Sequence, residues 1–326
     1  MPKRKRITRG KLLAGVGIFA LVIFLALLAY GVAIEPDWLE ETKIGEYTIP
    51  HLPSAWEGRK IACISDFQLG MWLDNEDAVR DAVDSIVSKK PSLAVILGDF
   101  IYHTEDDHDD IRRAVEILRP LTAAGIPTYA VLGNHDYSLE EPGDEPNREK
   151  AAFLETMLQE NGVTVLHNQA VSLGADPSLG GTQAPGAPSS PEGNAMPLYL
   201  VGIGSHWMGL DRPDKAFAQL PAEAPRLVIM HNPDSFGLLP PGSAPVALAG
   251  HTHGGQIRVP GFPEWSWLTF VKEDEVHAGG WISGYGEPGN HLYVNRGIGF
   301  STVPIRINCR PELTWITLHA QRGRNE

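Results

Sequence analysis

Five apolar runs, each followed at once by a short polar motif, constrain this chain more than any other feature. IACIS leads into Asp66-Phe67-Gln68, and LAVIL into Gly98-Asp99. YAVL leads into Gly133-Asn134-His135-Asp136, RLVIM into His231, and PVALA into Gly250-His251-Thr252-His253. Short apolar runs of this kind read as buried strands. Each motif carries Asp, Asn, Gln or His, the residue types that ligate metals. Parallel strands of an α/β sheet present their carboxyl ends on one rim, so residues placed just after them converge. The pattern predicts one metal site along one edge of a sheet. Taken singly, each motif also reads as an ordinary turn or a structural His. Five in succession at strand ends make coincidence a poor explanation.

From Arg59 the chain alternates strand and helix. Strands at 59–65, 92–97 and 127–132 are each expected to precede an amphipathic helix, at about 75–89, 110–124 and 147–160. Such alternation indicates α/β layers. Residues 35–58 read as a lead-in with one short strand, Glu46–Pro50, and residues 59–320 as one domain. Past the last motif, 276–282, 291–295, 304–309 and 312–319 read as short strands, enough for a second sheet; 321–326 is a tail. The stretch 173–197 is rich in Gly, Pro, Ala and Ser and is expected to be a disordered loop. The acidic run Glu105–Asp110 reads as a solvated loop and helix start. Cys63 and Cys309 read as buried free thiols, since two cysteines make no disulfide scaffold.

Leu12 to Ile34 is apolar and uncharged over 23 residues, long enough to span a bilayer as a helix. The basic residues Lys3, Arg4, Lys5, Arg6, Arg9 and Lys11 precede or open it, which places the 1–11 tail in the cytoplasm. Everything after Glu35 is then extracytoplasmic, on a single-pass membrane protein. The rival reading is a cleaved signal peptide, whose apolar core is shorter. The formal charge of −13 conceals an asymmetry. After residue 34 the chain holds 21 Lys and Arg against 40 Asp and Glu, a balance of −19. So acidic a domain is a poor nucleic-acid binder. It also repels anionic substrates unless bound cations or a local positive site override the field.

The segments ISDFQLG, LGDFIY, VLGNHD, IMHNPD, AGHTHGGQIRVP and YVNRGIGFSTVPIRINCRPE resemble those of the calcineurin-like metallophosphoesterases. The resemblance runs from about residue 35 onward. It is strongest to the membrane-anchored or exported bacterial branch, which includes phosphodiesterases and a UDP-diacylglucosamine pyrophosphatase. It implies an α/β fold, a four-layer α/β/β/α sandwich of two packed sheets with helices outside, here preceded by one transmembrane helix. It implies two adjacent divalent cations (Mn²⁺, Fe²⁺ or Zn²⁺) bridged by Asp99. Asp66, Gln68 and His253 would complete one position; Asn134, His231 and His251 the other. A metal-activated hydroxide would attack phosphorus in line. His135 would steady a phosphoryl oxygen or protonate the leaving group, and Asp136 would orient its ring. Arg296 could bind substrate; a structural salt bridge is an equal reading.

The departure is Gln68, where the family usually carries His. Its amide oxygen reads either as a weaker, harder ligand favouring Mn²⁺ or Mg²⁺, or as a group that only orders water. The aromatic stretch Phe262–Phe270 reads as a packed cluster or as an apolar lip suited to a lipid. The expected activity is hydrolysis of a phosphodiester or pyrophosphate, of a small-molecule, lipid or envelope substrate. The competing classes are a phosphomonoesterase or protein phosphatase, and a membrane-tethered binding module with impaired catalysis.

Overall fold

The computed structural model describes residues 9–102, 108–174, 196–218, 220–271 and 277–321. The first eight residues, most of the acidic run, the 175–195 part of the loop expected to be disordered, and the tail after Gln321 lie outside them.

In chain order the first half comprises α1 (Arg9–Ala33), β1 (Glu40–Ile44), β2 (Lys60–Ile64), α2 (Glu76–Lys89), β3 (Leu93–Ile96), α3 (Asp109–Ala123), β4 (Thr128–Ala130), α4 (Arg148–Glu160) and β5 (Val163–Val165). There follow β6 (Gln169–Ser172), β7 (Tyr199–Gly202), α5 (Pro213–Phe217), β8 (Arg226–Ile229), β9 (Ala247–Ala249), β10 (Arg258–Val259), β11 (Phe262–Ser266), α6 (Trp267–Val271), β12 (Gly280–Ile282), β13 (Leu292–Val294) and β14 (Glu312–Thr317).

Two six-stranded sheets result. The first runs β1-β14-β2-β3-β4-β5, with β2 to β5 parallel and β14 antiparallel to β2. The second runs β12-β13-β9-β8-β7-β6, with β13, β9, β8 and β7 parallel. Side chains alternate across each strand, and that period of two builds the layers. Ile61, Cys63, Leu93 and Val95 point inward, into one core with Leu200, Leu227, Ile229 and Leu248 of the second sheet. Ala62, Ile64, Ala94 and Ile96 point outward, against α2 to α4. α2 turns Ala78, Val79, Ala82, Val83 and Ile86 to that layer, the spacing of one helical face. On the far side the second sheet packs under α5 and a 3-10 turn over Pro233–Leu238. The order is helix, sheet, sheet, helix, with the second helical layer thin.

Three expectations need correction. The relay does not run along one sheet: β2, β3 and β4 end in the first and β8 and β9 in the second. An apolar run carries no record of which sheet it joins. Glu46–Pro50 is not a strand; the edge strand is the more polar Glu40–Ile44, parallel to β14. Pro304–Cys309 is not a strand either; apart from an Ile257–Ile307 bridge, it packs beneath the end of α1. Cys63 and Cys309 are free and buried.

α1 spans 25 residues and is exposed along nearly its whole length, so it is long and apolar enough to cross a membrane. Only its last turn meets the domain. Gly31 is buried there because a Cβ would lie 2.6 Å from Ile307 Cγ1, and its carbonyl accepts from Arg306 N at 2.9 Å.

Candidate metal centre

Asp66 and Gln68 follow β2, Asp99 follows β3, and Asn134 and His135 follow β4. His231 follows β8, and His251 and His253 follow β9. The seven residues first read as ligands meet where the ends of the two sheets face each other. The turns that aim them are unusual. Asp66, Gln68, Asp99, His251 and His253 all have φ between 49° and 72°, the left-handed region that non-glycine residues avoid. Each costs roughly 1–3 kcal/mol and persists only where the surroundings enforce it. Concentrated in one site, that strain reverses the chain sharply after β2, β3 and β9, and aims their side chains at those that follow β4 and β8. Gly133 permits the closest approach: a Cβ there would overlap Asp99 Oδ1 and lie 2.7 Å from His231 Cε1.

Hydrogen bonds at the rear of the site fix its donor set. His231 Nδ1 donates to the Leu97 carbonyl at 2.7 Å, which turns Nε2 inward. That nitrogen lies 3.1 Å from Asp99 Oδ2, 3.1 Å from Asn134 Oδ1 and 3.2 Å from His251 Nδ1. His253 Nδ1 lies 3.4 Å from the Gly299 carbonyl, so its Nε2 also faces inward, 3.5 Å from Asp66 Oδ1. Two groups are thereby assembled: Asp99 with His231 and His251, and Asp66 with Asp99 and His253. In each the ligand atoms lie within 4.8 Å of one another, and Asp99 belongs to both.

Carboxylate oxygens and imidazole nitrogens, all electron-pair donors, crowded into one mostly buried space call for a cation. The protonation states carry the same tension. Burial pushes Asp66 up to about 7. Burial and the charge of Asp99 likewise raise Asp136 to about 7. Burial opposes the ionised form of Asp99, but the imidazoles of His231 and His135 outweigh it and hold the carboxyl below the usual range. Burial works against the charged form of His231, yet Asp99 lifts it to about 9. Burial, then the Arg306 guanidinium, pushes His253 down to about 3.

Gln68 is fully buried; its Nε2 donates to Asp99 Oδ2 at 2.9 Å, and its Oε1 has no partner among the described residues. Half a turn of the amide exchanges the two atoms and presents the oxygen to the site. The residues present therefore fit divalent cations held by oxygen and imidazole.

His135, nearly buried, stacks on Tyr102 with ring centroids 5.1 Å apart and lines the cleft outside the ligands. Asp136 does something other than orient that ring. Its carboxylate accepts from the backbone N–H groups of Asp99, Phe100 and Gly133 at 2.8–2.9 Å, bracing the β3 and β4 loops against each other. Arg296 is also corrected. Its guanidinium donates to the buried Glu312 at 3.0 Å and reaches Glu40 at 3.4 Å, so it is a structural ion pair. Sequence reasoning missed Ser65, whose hydroxyl bonds Asp66 Oδ2, and Trp207, which packs edge-on against His251. It also missed Arg306, fully buried, which donates to the carbonyls of His253, Arg296, Gly297, Gly299 and Cys309. No pattern in the sequence marks that role.

The cleft over the ligands is about 500 Å³. One wall carries Trp267, Leu268 and Val303, and none of its described lining residues is Lys or Arg.

The family model described as calcineurin-like phosphoesterase matches residues 59–255. The chain belongs to that family. As a calcineurin-like phosphoesterase it is a hydrolase acting on phosphoester bonds. It is 34% identical to the phosphodiesterase YaeI of Escherichia coli over 241 residues, 74% of this chain and 75% of that one. It is 27% identical to the metallophosphoesterase YkuE of Bacillus subtilis, across 96% of this chain and 98% of the other. It is 24% identical to the UDP-2,3-diacylglucosamine pyrophosphatase LpxG of Chlamydia muridarum, across 82% of this chain and 85% of that relative.

Proposed function

We propose that this chain is a single-pass membrane enzyme. Its extracytoplasmic domain hydrolyses a phosphodiester or pyrophosphate of a lipid or envelope substrate, using two divalent cations. The observation that carries this reading is the pair of ligand-type groups sharing Asp99, buried except for the partly buried His251. Asp66, Gln68 and His253 would hold one cation with Asp99; Asn134, His231 and His251 the other. When bound, the cations supply Lewis acidity, offsetting phosphate charge and lowering the pKa of the attacking water. They serve binding as well as rate, because none of the described residues lining the cleft is a Lys or Arg that could meet an anion.

The protein's own groups do the rest. The carbonyls of Leu97 and Gly299 hold His231 and His253 in the tautomers that turn Nε2 inward. Asp136 sets the spacing of the β3 and β4 loops. His135, on the cleft wall and steadied by Tyr102, delivers a proton to the leaving oxygen. The names of YaeI and LpxG support a diester or pyrophosphate. The basic tail ahead of α1 supports a cytoplasmic N-terminus.

The test is turnover of bis-p-nitrophenyl phosphate by the full-length protein, with metal content measured on the same sample. About two cations per chain and Mn²⁺-stimulated hydrolysis are expected. Two bound cations without hydrolysis of any diester, pyrophosphate or monoester would sink the enzymatic reading. Faster monoester than diester turnover would move the substrate class.

A further inference from the structure

Among the described residues outside α1, ten large apolar side chains are exposed. Nine of them stand on four segments that meet at the foot of α1; Leu238 is the exception. Trp38 belongs to the first segment, directly after the helix, and the Arg310 guanidinium lies 3.6 Å over its ring. An aromatic with a cation above it suits the level where lipid head groups meet acyl chains. Trp72 belongs to the second. Three residues on, Asn75 donates to the Pro36 carbonyl at 2.9 Å and so ties that loop to the helix exit. Val303 belongs to the third, which continues into the segment packed against Gly31.

The fourth is the β10–β11 hairpin with the first turn of α6. Phe262, Trp265 and Trp267 are exposed on it, the first two with rings 5.5 Å apart. The hairpin joins the same segment, since Arg258 N donates to the Ile307 carbonyl at 2.9 Å. The joint with the helix is held by hydrogen bonds. Buried Glu35 accepts from the backbone N–H groups of Asn308 and Cys309 directly below α1. A membrane-crossing helix fixed in this way brings all four segments to one level beside it.

We propose that these segments form a docking surface for the lipid leaflet that α1 leaves, and that the metal cleft opens onto that leaflet. Burial of apolar side chains is what makes such a surface stable, and the anchor makes it local. The cleft shares its wall with the surface: Trp267 and Val303 line both. A lipid-borne phosphodiester or pyrophosphate then reaches the cations with its chains still in the bilayer. This deepens the hydrolase reading and rests on it for the substrate; the docking surface itself does not.

Two measurements on the full-length protein in phospholipid nanodiscs, one protein per disc, test it. In the first, Trp265→Cys carries a fluorophore, the native thiols being buried. Lipids with nitroxide on the upper acyl chain should quench the label, and aqueous iodide should not. Iodide quenching equal to that of free dye, with no effect of nitroxide lipid, overturns the proposal. So does protection seen only when a second copy shares the disc. In the second, Phe262→Ser/Trp265→Ser should leave bis-p-nitrophenyl phosphate turnover within about twofold and slow a long-chain phosphodiester in the disc about tenfold. Equal effects on both substrates overturn it. The label needs no catalysis, so failure of the hydrolase reading leaves the docking result standing on its own.

Discussion

The two candidate ligand groups sharing Asp99 are not equivalent. One combines Asn134 with two imidazoles, His231 and His251; the other combines a second carboxylate, Asp66, with Gln68 and one imidazole, His253. The first is nitrogen-rich and suits Zn²⁺ or Fe²⁺; the second is oxygen-rich and suits Mn²⁺ or Mg²⁺. The difference rests on one side chain, since His at position 68 would restore near-symmetry. It also follows the fold, because the two sheets contribute differently: β2 and β3 bring oxygen, β8 and β9 bring nitrogen.

Removing the shared ligand erases the comparison and should have the largest effect. Asp99→Ala is expected to lose both cations and on the order of 10³-fold in kcat, read by metal content and steady-state rates. His135→Ala should leave both groups filled and cost about 10²–10⁴-fold in kcat, the usual range for a proton donor. Parallel loss of metal and rate would instead make His135 a ligand.

His251→Ala and His253→Ala separate the halves. Each should leave about one cation per chain, and chelator titration should remove the survivor at different concentrations. Gln68→His should tighten the oxygen-rich half by about tenfold and shift it toward Zn²⁺, seen by competitive metal binding. Unchanged preference would mean that Gln68 only orders water. Full chelation should lower the melting temperature by ~5–10 °C, because cations bind the native state and not the unfolded chain.

The strand ends were legible because buried parallel strands are continuous apolar runs, and a ligand just past such a run has few other places to go. The helices α2 to α4 were legible from their periodicity. Asp136 and Arg296 were not, because the sequence shows a side chain's charge and not its partner. A carboxylate beside a His suggests a pair; here the backbone of the neighbouring loop takes both oxygens. The division of the relay between two sheets was hidden because pairing is decided by which neighbours close the core. The left-handed backbone at five residues of the candidate site was hidden because no local preference of Asp, Gln or His demands it; the site imposes it. Glu40–Ile44 escaped notice because an edge strand has little need of apolar residues.

The position of β14 has a bearing on how the molecule is made. It enters the first sheet between β1 and β2, separating two strands that precede it by more than two hundred residues. Its Glu312 anchors Arg296, whose side-chain stem packs against Gly254 in the loop after His253. Until this late strand has been synthesised, the sheet is open and Arg296 lacks its Glu312 anchor. Closure of the first sheet therefore has to wait for nearly the last residues of the described chain, however early its other strands are made.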